Sequence, residues 1–234
     1  MWQLFVLSRQ LRFLYNGCLK RLSLFDSFGS SFLWYDTDMI FQTKRLILRP
    51  WEESDAGELF RWAQDPLIGP AAGWNALRSM DDAITMIRGQ YARPEVYAVC
   101  LKGETEESGQ RAAKPIGCLS LKFGRDTDLT DAEDECEISS WIARPYWGQG
   151  LIPEGCDALL QHGFEDLGMK AVWAGYYDGN EKSRACLKRI GFTDHHTDKN
   201  MFLPLMNQLR VGHIVVMTRE QWDQTVKERY EKSI

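Results

Sequence analysis

None of the six cysteines (Cys18, Cys100, Cys118, Cys136, Cys156 and Cys186) forms a CxxC pair, and none sits at metal-ligand spacing from a histidine. A zinc site therefore lacks its usual pattern, and no metal is expected. Most of these thiols fall inside apolar segments, which reads as reduced core cysteine in a cytoplasmic protein. No apolar run approaches the roughly 18 residues of a membrane span. Cations are the minority charge, 28 against 33 anions, and a net charge of −5 argues against a nucleic-acid-binding face. There is no internal repeat. His162, His195, His196 and His213 show no partner spacing.

What remains is ordinary globular material. At 234 residues, with 44% apolar and 26% charged content, the chain can bury one core plus an appendage. Residues 1–38 stand apart, crowded with Leu, Phe and Trp and carrying Arg9, Arg12, Lys20 and Arg21 before any acid. Polar interruptions and the missing small-residue cleavage site make this a poor secretory signal. It reads either as a basic amphipathic segment on a membrane or partner, or as an extension upstream of a natural start at Met39. The expected organisation is an N-terminal extension, 1–38, and a single domain over 39–234.

From Ile40 the pattern is regular. Phe41–Trp51 alternates as a strand with Leu46 and Leu48 on one face. Ser54-Asp55 caps a helix carrying Leu59, Phe60 and Ala63, and a second helix carries Ala83, Ile84, Ile87 and Tyr91. Strands follow at Val96–Leu101, Pro115–Phe123 and Glu133–Ile142, with a charged hairpin loop from Gly103 to Lys114 between the first two. A helix over Gly150–Leu167, a strand over Lys170–Tyr177 and a helix over Glu181–Ile190 come next. Strands starting at Phe192 and at His213, then a polar helix over Arg219–Lys232, close the chain. Antiparallel strands first, then a central βαβ crossover, predict a mixed α/β sheet covered by helices.

The stretch from Trp141 to Gly155 passes from an apolar strand through Arg144-Pro145 and Trp147-Gly148-Gln149-Gly150-Leu151-Ile152 into a helix. Two glycines in a turn at a helix N-terminus offer free amides and a positive dipole end, an anion site. A Walker A loop is excluded because no Lys-Ser/Thr follows. A dinucleotide fingerprint is excluded because Pro153 holds the third glycine position. Across the next crossover, Asn180 and Ser183 open a helix where adjacent strand ends would share a crevice. Plain N-capping accounts equally well for Asn180.

These residues, taken together, resemble the GNAT acyltransferase superfamily, in its branch of ribosomal-protein N-terminal acetyltransferases. The resemblance runs from Met39 to Glu220, about four-fifths of the chain. It rests on Thr43-Lys-Arg-Leu-Ile-Leu-Arg-Pro50, Lys114-Pro-Ile-Gly117, Glu137-Ile138 with Trp141-Ile142, Tyr146-Trp-Gly-Gln-Gly150, Glu154, Asn180, Ser183 and Gly191-Phe192. It implies a mostly antiparallel sheet of about seven strands with a splayed parallel pair and helices on both faces. It further implies acetyl-CoA as cosubstrate, with pantetheine against the backbone of Trp141, Ile142 and Ala143. The pyrophosphate would lie on Trp147 to Ile152, and Asn180 and Ser183 near the thioester. The acceptor would be a small-molecule or peptide amine that attacks the thioester directly in a ternary complex, on a monomer or homodimer.

That chemistry needs a proton acceptor for the amine and a proton donor for the thiolate. Strand alternation places Glu133, Glu135, Glu137, Ser139 and Trp141 on one face, and Glu137 is the first choice of base, acting through water. A solvated strand face is its structural alternative. Ser183 is the candidate donor, with Tyr176 and Tyr177 as rivals. Ser139-Ser140 stands where the family usually has Gly-Tyr, which opens the acceptor class. The loop from Gly69 to Arg78 and the insert from Asp198 to Val211 are expected to line the acceptor pocket. The competing reading is a CoA-binding sensor or partner module without turnover. Gly150→Glu fills the loop and adds like charge, so it should abolish cofactor binding; unchanged affinity in isothermal titration would remove the pyrophosphate assignment.

Overall fold

The computed structural model describes residues 11–15, 18–22, 39–103 and 113–231. Apart from an antiparallel hairpin of β1 (Leu11–Tyr15) and β2 (Cys18–Leu22), the expected N-terminal extension lies outside the described residues. So does most of the expected loop between Gly103 and Lys114.

The domain core is an eight-stranded sheet. Its strands are β3 (Phe41–Gln42), β4 (Leu46–Pro50), β5 (Val96–Leu101), β6 (Pro115–Lys122), β7 (Glu135–Ile142), β8 (Ala171–Tyr177), β9 (Thr193–Leu203) and β10 (Gln208–Thr218). They lie in the order β3-β4-β5-β6-β7-β8-β10-β9, antiparallel throughout except for β7 beside β8. The eighth strand arises because Phe41–Trp51 is not one strand. Thr43 N–H donates to Leu46 O at 3.0 Å and its hydroxyl accepts from Leu46 N–H at 2.9 Å. That tight turn folds Phe41-Gln42 back on Ile47-Leu48.

Helices cover both faces, as expected. On one face α1 (Ala56–Ala63) and α2 (Met80–Met86), the latter extended by a wider turn over Ile87–Tyr91, bury Leu59, Ala63, Ala83 and Tyr91 against Ala98, Cys100 and Trp141. On the other, α3 (Leu151–Gln161) and α4 (Glu181–Ile190) bury Leu159, Leu160, Leu187 and Ile190 against Leu46, Leu119, Cys136 and Ile138. The last helix, α5 (Arg219–Glu231), stacks Trp222 on Phe164 with ring centroids 5.5 Å apart. The alternation read from β4 and β7 thus becomes two cores, one on each side of the sheet.

The start of α1 departs from expectation. Ser54 does not cap it; its hydroxyl goes to Glu52 at 3.1 Å. Asp55 is instead buried and gripped by both Arg49 Nη atoms at 2.7 Å, which ties the helix start to β4. The carbonyls of Pro50 and Ala113 also accept from this guanidinium, and its pKa is raised although burial alone would lower it.

Gly117 decides how closely β6 can hold β7. A Cβ there would lie 2.4 Å from Trp141 O and 3.0 Å from Ile142 Cα, both backbone atoms that cannot swing aside. Gly117→Ala should therefore cost about 1–3 kcal/mol, as overpacking does, read as a lower urea midpoint at unchanged slope.

Candidate functional site

The parallel pair opens. β7 is paired with β6 as far as Ile142, and β8 with β10 as far as Tyr177, yet β7 and β8 pair only from Glu135↔Ala171 to Glu137↔Trp173. Ala143 N–H donates to Ile116 O, so the odd-numbered residues of β7 hydrogen-bond to β6 and the even ones face β8. By the same alternation, Asp178 N–H donating to Val211 O turns the odd residues of β8 toward β7. Ser140, Ile142, Gly175 and Tyr177 therefore aim main-chain groups into a gap with no strand to meet them. Within Trp141–Ala143 only Ile142 does so. Its carbonyl is already taken by Trp147 Nε1 at 2.8 Å, leaving the amide.

At the wide end of the gap lies the glycine loop. Gly148 and Gly150 have φ of +73° and +71°, conformations that strain any residue with a Cβ. The amides of Gly148 to Ile152 have no acceptor among the described residues. Arg45 explains where they point. Its Nη1 takes Gln149 O at 2.9 Å and its Nη2 takes Gly150 O at 3.1 Å. Carbonyl and following amide are opposed in a trans peptide, so the N–H groups of Gly150 and Leu151 are turned to the other side. Glu154 holds Arg45 in place, accepting from its Nε at 2.6 Å and from its main-chain N–H at 2.7 Å, and from Thr43 Oγ1 at 2.5 Å. Burial alone would push the Glu154 carboxyl up, but the Thr43 and Arg45 donors outweigh it and hold it below the usual carboxylate range. Lys182 lies 3.9 Å from the Trp147 ring centroid, and Arg189 approaches Gly150, so cations rim the loop. The arrangement is an anion cradle with preorganised donors.

The narrow part of the gap opens into a cavity of about 1150 Å³. Glu137, Ser139, Trp141, Tyr176, Tyr177 and Ser183 all reach it, as do Trp74 from the α1–α2 connection and residues 201–205 from the β9–β10 hairpin. Both segments expected at the acceptor pocket thus contribute wall. Glu137 is not a solvated strand residue. Its side chain is 13% exposed, its Oε1 accepts from Lys122 Nζ at 2.7 Å and its Oε2 from Thr127 Oγ1 at 2.7 Å. Burial first, then the nearby Glu137 charge, raise the Tyr177 phenol above its ordinary value, while Arg210 acts the other way. Trp141 donates its indole N–H to Tyr91 Oη at 2.9 Å and packs among Trp51 and Trp74.

Not every candidate converges. Asn180 is used as the N-cap of α4, its Oδ1 accepting from Ser183 N–H at 3.2 Å, and it is not part of the cavity wall. Ala143 is fully buried with its amide spent on Ile116.

Residues 45–193, more than half of the chain, match the model of the acetyltransferase (GNAT) domain. The chain belongs to the GNAT acetyltransferase family. Among its relatives is YdaF of Bacillus subtilis, provisionally named a ribosomal N-acetyltransferase. The two are 39% identical over 67 residues, 29% of this chain and 37% of YdaF, so the aligned part spans well under half of that relative. A GNAT acetyltransferase from Bacillus anthracis superposes with a TM-score of 0.65 at 18% identity, covering 78% of this chain and 99% of the other. The microcin C7 self-immunity acetyltransferase MccE, solved with acetyl-CoA and AMP, superposes at 0.58 and 18% identity, over 75% of this chain and 93% of its own. These likenesses establish the GNAT fold, and the candidate site lies at its open β7–β8 pair.

Several site residues carry no local sequence signal. Lys122 becomes visible only through its register opposite Glu137, and Thr127 and Arg210 only through tertiary contact. Arg45 sits inside the recognised first-strand motif, yet its carbonyl-gripping role needs the loop beside it. Glu154→Ala should release Arg45 and weaken binding of a diphosphate-bearing ligand roughly tenfold, the scale of one charge-assisted hydrogen bond; equal affinity in titration calorimetry would separate Arg45 from the cradle.

Proposed function

We propose that this chain is an acetyl-CoA-dependent N-acetyltransferase that acylates a primary amine, either a peptide N-terminus or a small amine. The observation that carries the reading is the conjunction of an open β7–β8 gap, an amide cradle at its wide end, and a cavity lined by Glu137 and Tyr177 at its narrow end. Family membership supports acetyl transfer, and the relative named for ribosomal N-acetylation supports a polypeptide acceptor. MccE, which shares the fold, is solved with acetyl-CoA.

The residues present fit that cosubstrate. The cradle amides of Gly148 to Ile152 would hold the pyrophosphate, and Ser140, Ile142, Gly175 and Tyr177 would pair with the amide-bearing pantetheine arm as a strand would. Acetyl-CoA supplies an acetyl group already activated as a thioester. In this reading Glu137 keeps the acceptor amine neutral. Lys122 and Thr127 fix its carboxylate, each oxygen retains a lone pair, and an ordered water can carry the proton to it. In this reading the Ser140 amide, which faces the gap, would be the donor to the developing oxyanion. As the new N–C bond forms and the C–S bond breaks, the Tyr177 phenol or the Ser183 hydroxyl returns a proton to sulfur. Asn180 acts through α4, by setting the start of the helix that carries Ser183.

The same reading takes residues 39–234 as the catalytic unit and a cytoplasmic setting, with no helix among the described residues long and apolar enough to cross a membrane. The test is calorimetric titration with acetyl-CoA followed by thiol release over an amine panel that includes ribosomal-protein N-terminal peptides. Release with at least one acceptor is expected, with Glu137→Gln lowering kcat about a hundredfold at unchanged acetyl-CoA affinity. Tight binding without release for any acceptor would favour a silent CoA-binding module instead.

A further inference from the structure

The β9–β10 hairpin is tied across the mouth of the cavity to the connection between α1 and α2. Arg210 Nη1 donates to Pro70 O at 2.6 Å, and Asn75 Nδ2 donates to Leu205 O at 3.0 Å. Arg210 does more than anchor. Its guanidinium carbon lies 5.4 Å from the centroid of the Tyr177 ring. Gly73, in the same connection as Pro70, comes so close that a Cβ on it would sit 2.6 Å from Tyr177 Oη, at a φ of +88° that itself favours glycine. The Tyr177 ring is thus met by a glycine and a guanidinium that belong to two separate segments. The β9–β10 ladder also slips between Arg210 and Gly212, and such a bulge re-aims the side chains beside it.

We propose that Arg210 is a positioning residue for acetyl transfer: one guanidinium latches the hairpin to Pro70 and, by stacking, fixes the Tyr177 phenol at the edge of the β7–β8 gap. The inference rests on the reading that Tyr177 faces the transferring group. Arginine suits both tasks at once, because its planar fork can donate in its plane while its face lies on a ring; a lysine ammonium cannot do both. The charges acting on this phenol are Glu137 on β7, which raises its pKa beyond the effect of burial, and Arg210 on β10, which opposes both. Removing the cation leaves the phenol a weaker acid and free to swing from the gap. Asn75, which joins the same two segments without touching Tyr177, separates anchoring from positioning.

The experiment compares Arg210→Gln, Arg210→Lys and Asn75→Ala in the full chain, with thermal melting as the check on folding. Isotope-edited NMR of the tyrosine ζ carbons, with the Tyr177 signal identified by Tyr177→Phe, reads the phenol without requiring turnover. Arg210→Gln should move the Tyr177 titration up by about half a pH unit and lower kcat on the order of tenfold. Arg210→Lys should recover most of the titration shift but not the rate, and Asn75→Ala should change neither. An unmoved phenol in Arg210→Gln with an active parent enzyme overturns this proposal alone, as does an Asn75→Ala variant that loses kcat equally. A parent chain that transfers acetyl to no amine overturns the functional reading and this inference with it.

Discussion

Two strands that start as neighbours are each claimed by a different partner. β6 keeps β7 through Ile142, and β10 keeps β8 through Tyr177, while the parallel pair itself closes only as far as Glu137↔Trp173. The sheet becomes two half-sheets hinged at three residue pairs. Backbone amides left without a partner in such a gap cost about 1–3 kcal/mol each unless water or a ligand meets them. The fold therefore holds open a slot whose chemical demand is for an extended chain with its own amide groups. Everything else in the site takes its place from that slot.

The cradle is the second consequence. The crossover from β7 to α3 must leave the strand where the gap is widest, and Arg45, reaching over from the start of β4, seizes the two carbonyls of that turn. Three of the five guanidinium N–H groups of Arg45 go to Glu154 and to these two carbonyls. Its contribution is orientation, and the positive potential of the loop comes from the amides, the α3 dipole and the flanking Lys182 and Arg189. Glu154, four residues into the motif, is conspicuous for the same reason: without it, a cation would sit against the loop unpaired.

What was legible in the sequence was what is local. Element order followed from periodicity and from stops at Gly168 and Gly191, and the cradle followed from two glycines ahead of a helix. The turn at Thr43–Leu46 was hidden because Thr, Lys and Arg fit a strand as well as a bend, and the pull of Glu154 on Thr43 and Arg45, which supports the bend, comes from a distant segment. Asn180 was ambiguous in sequence because an N-cap and a ligand-facing amide use the same residue type; the hydrogen bond to Ser183 N–H gives it the former use. The cavity wall was least legible. Lys122, Thr127, Gly73 and Arg210 come from four separate segments, and no spacing rule connects them.

The choice between the acidic residues of β7 shows how much tertiary context decides. Glu135 and Glu137 share a face, a charge and a threonine hydroxyl partner, and alternation alone treats them alike. Glu135 is drawn over β8, where its Oε2 accepts from Trp173 Nε1 at 2.6 Å and from Thr130 Oγ1 at 2.5 Å, and it does not reach the cavity. Glu137 leans the other way, to Lys122 on β6, and so stays beside the opening. One step along the strand separates a carboxylate that closes the paired end of the two strands from one that faces the space where they part. Because the last β7–β8 pair falls at Glu137 itself, the carboxylate that faces the cavity is also the one that marks where the two strands part.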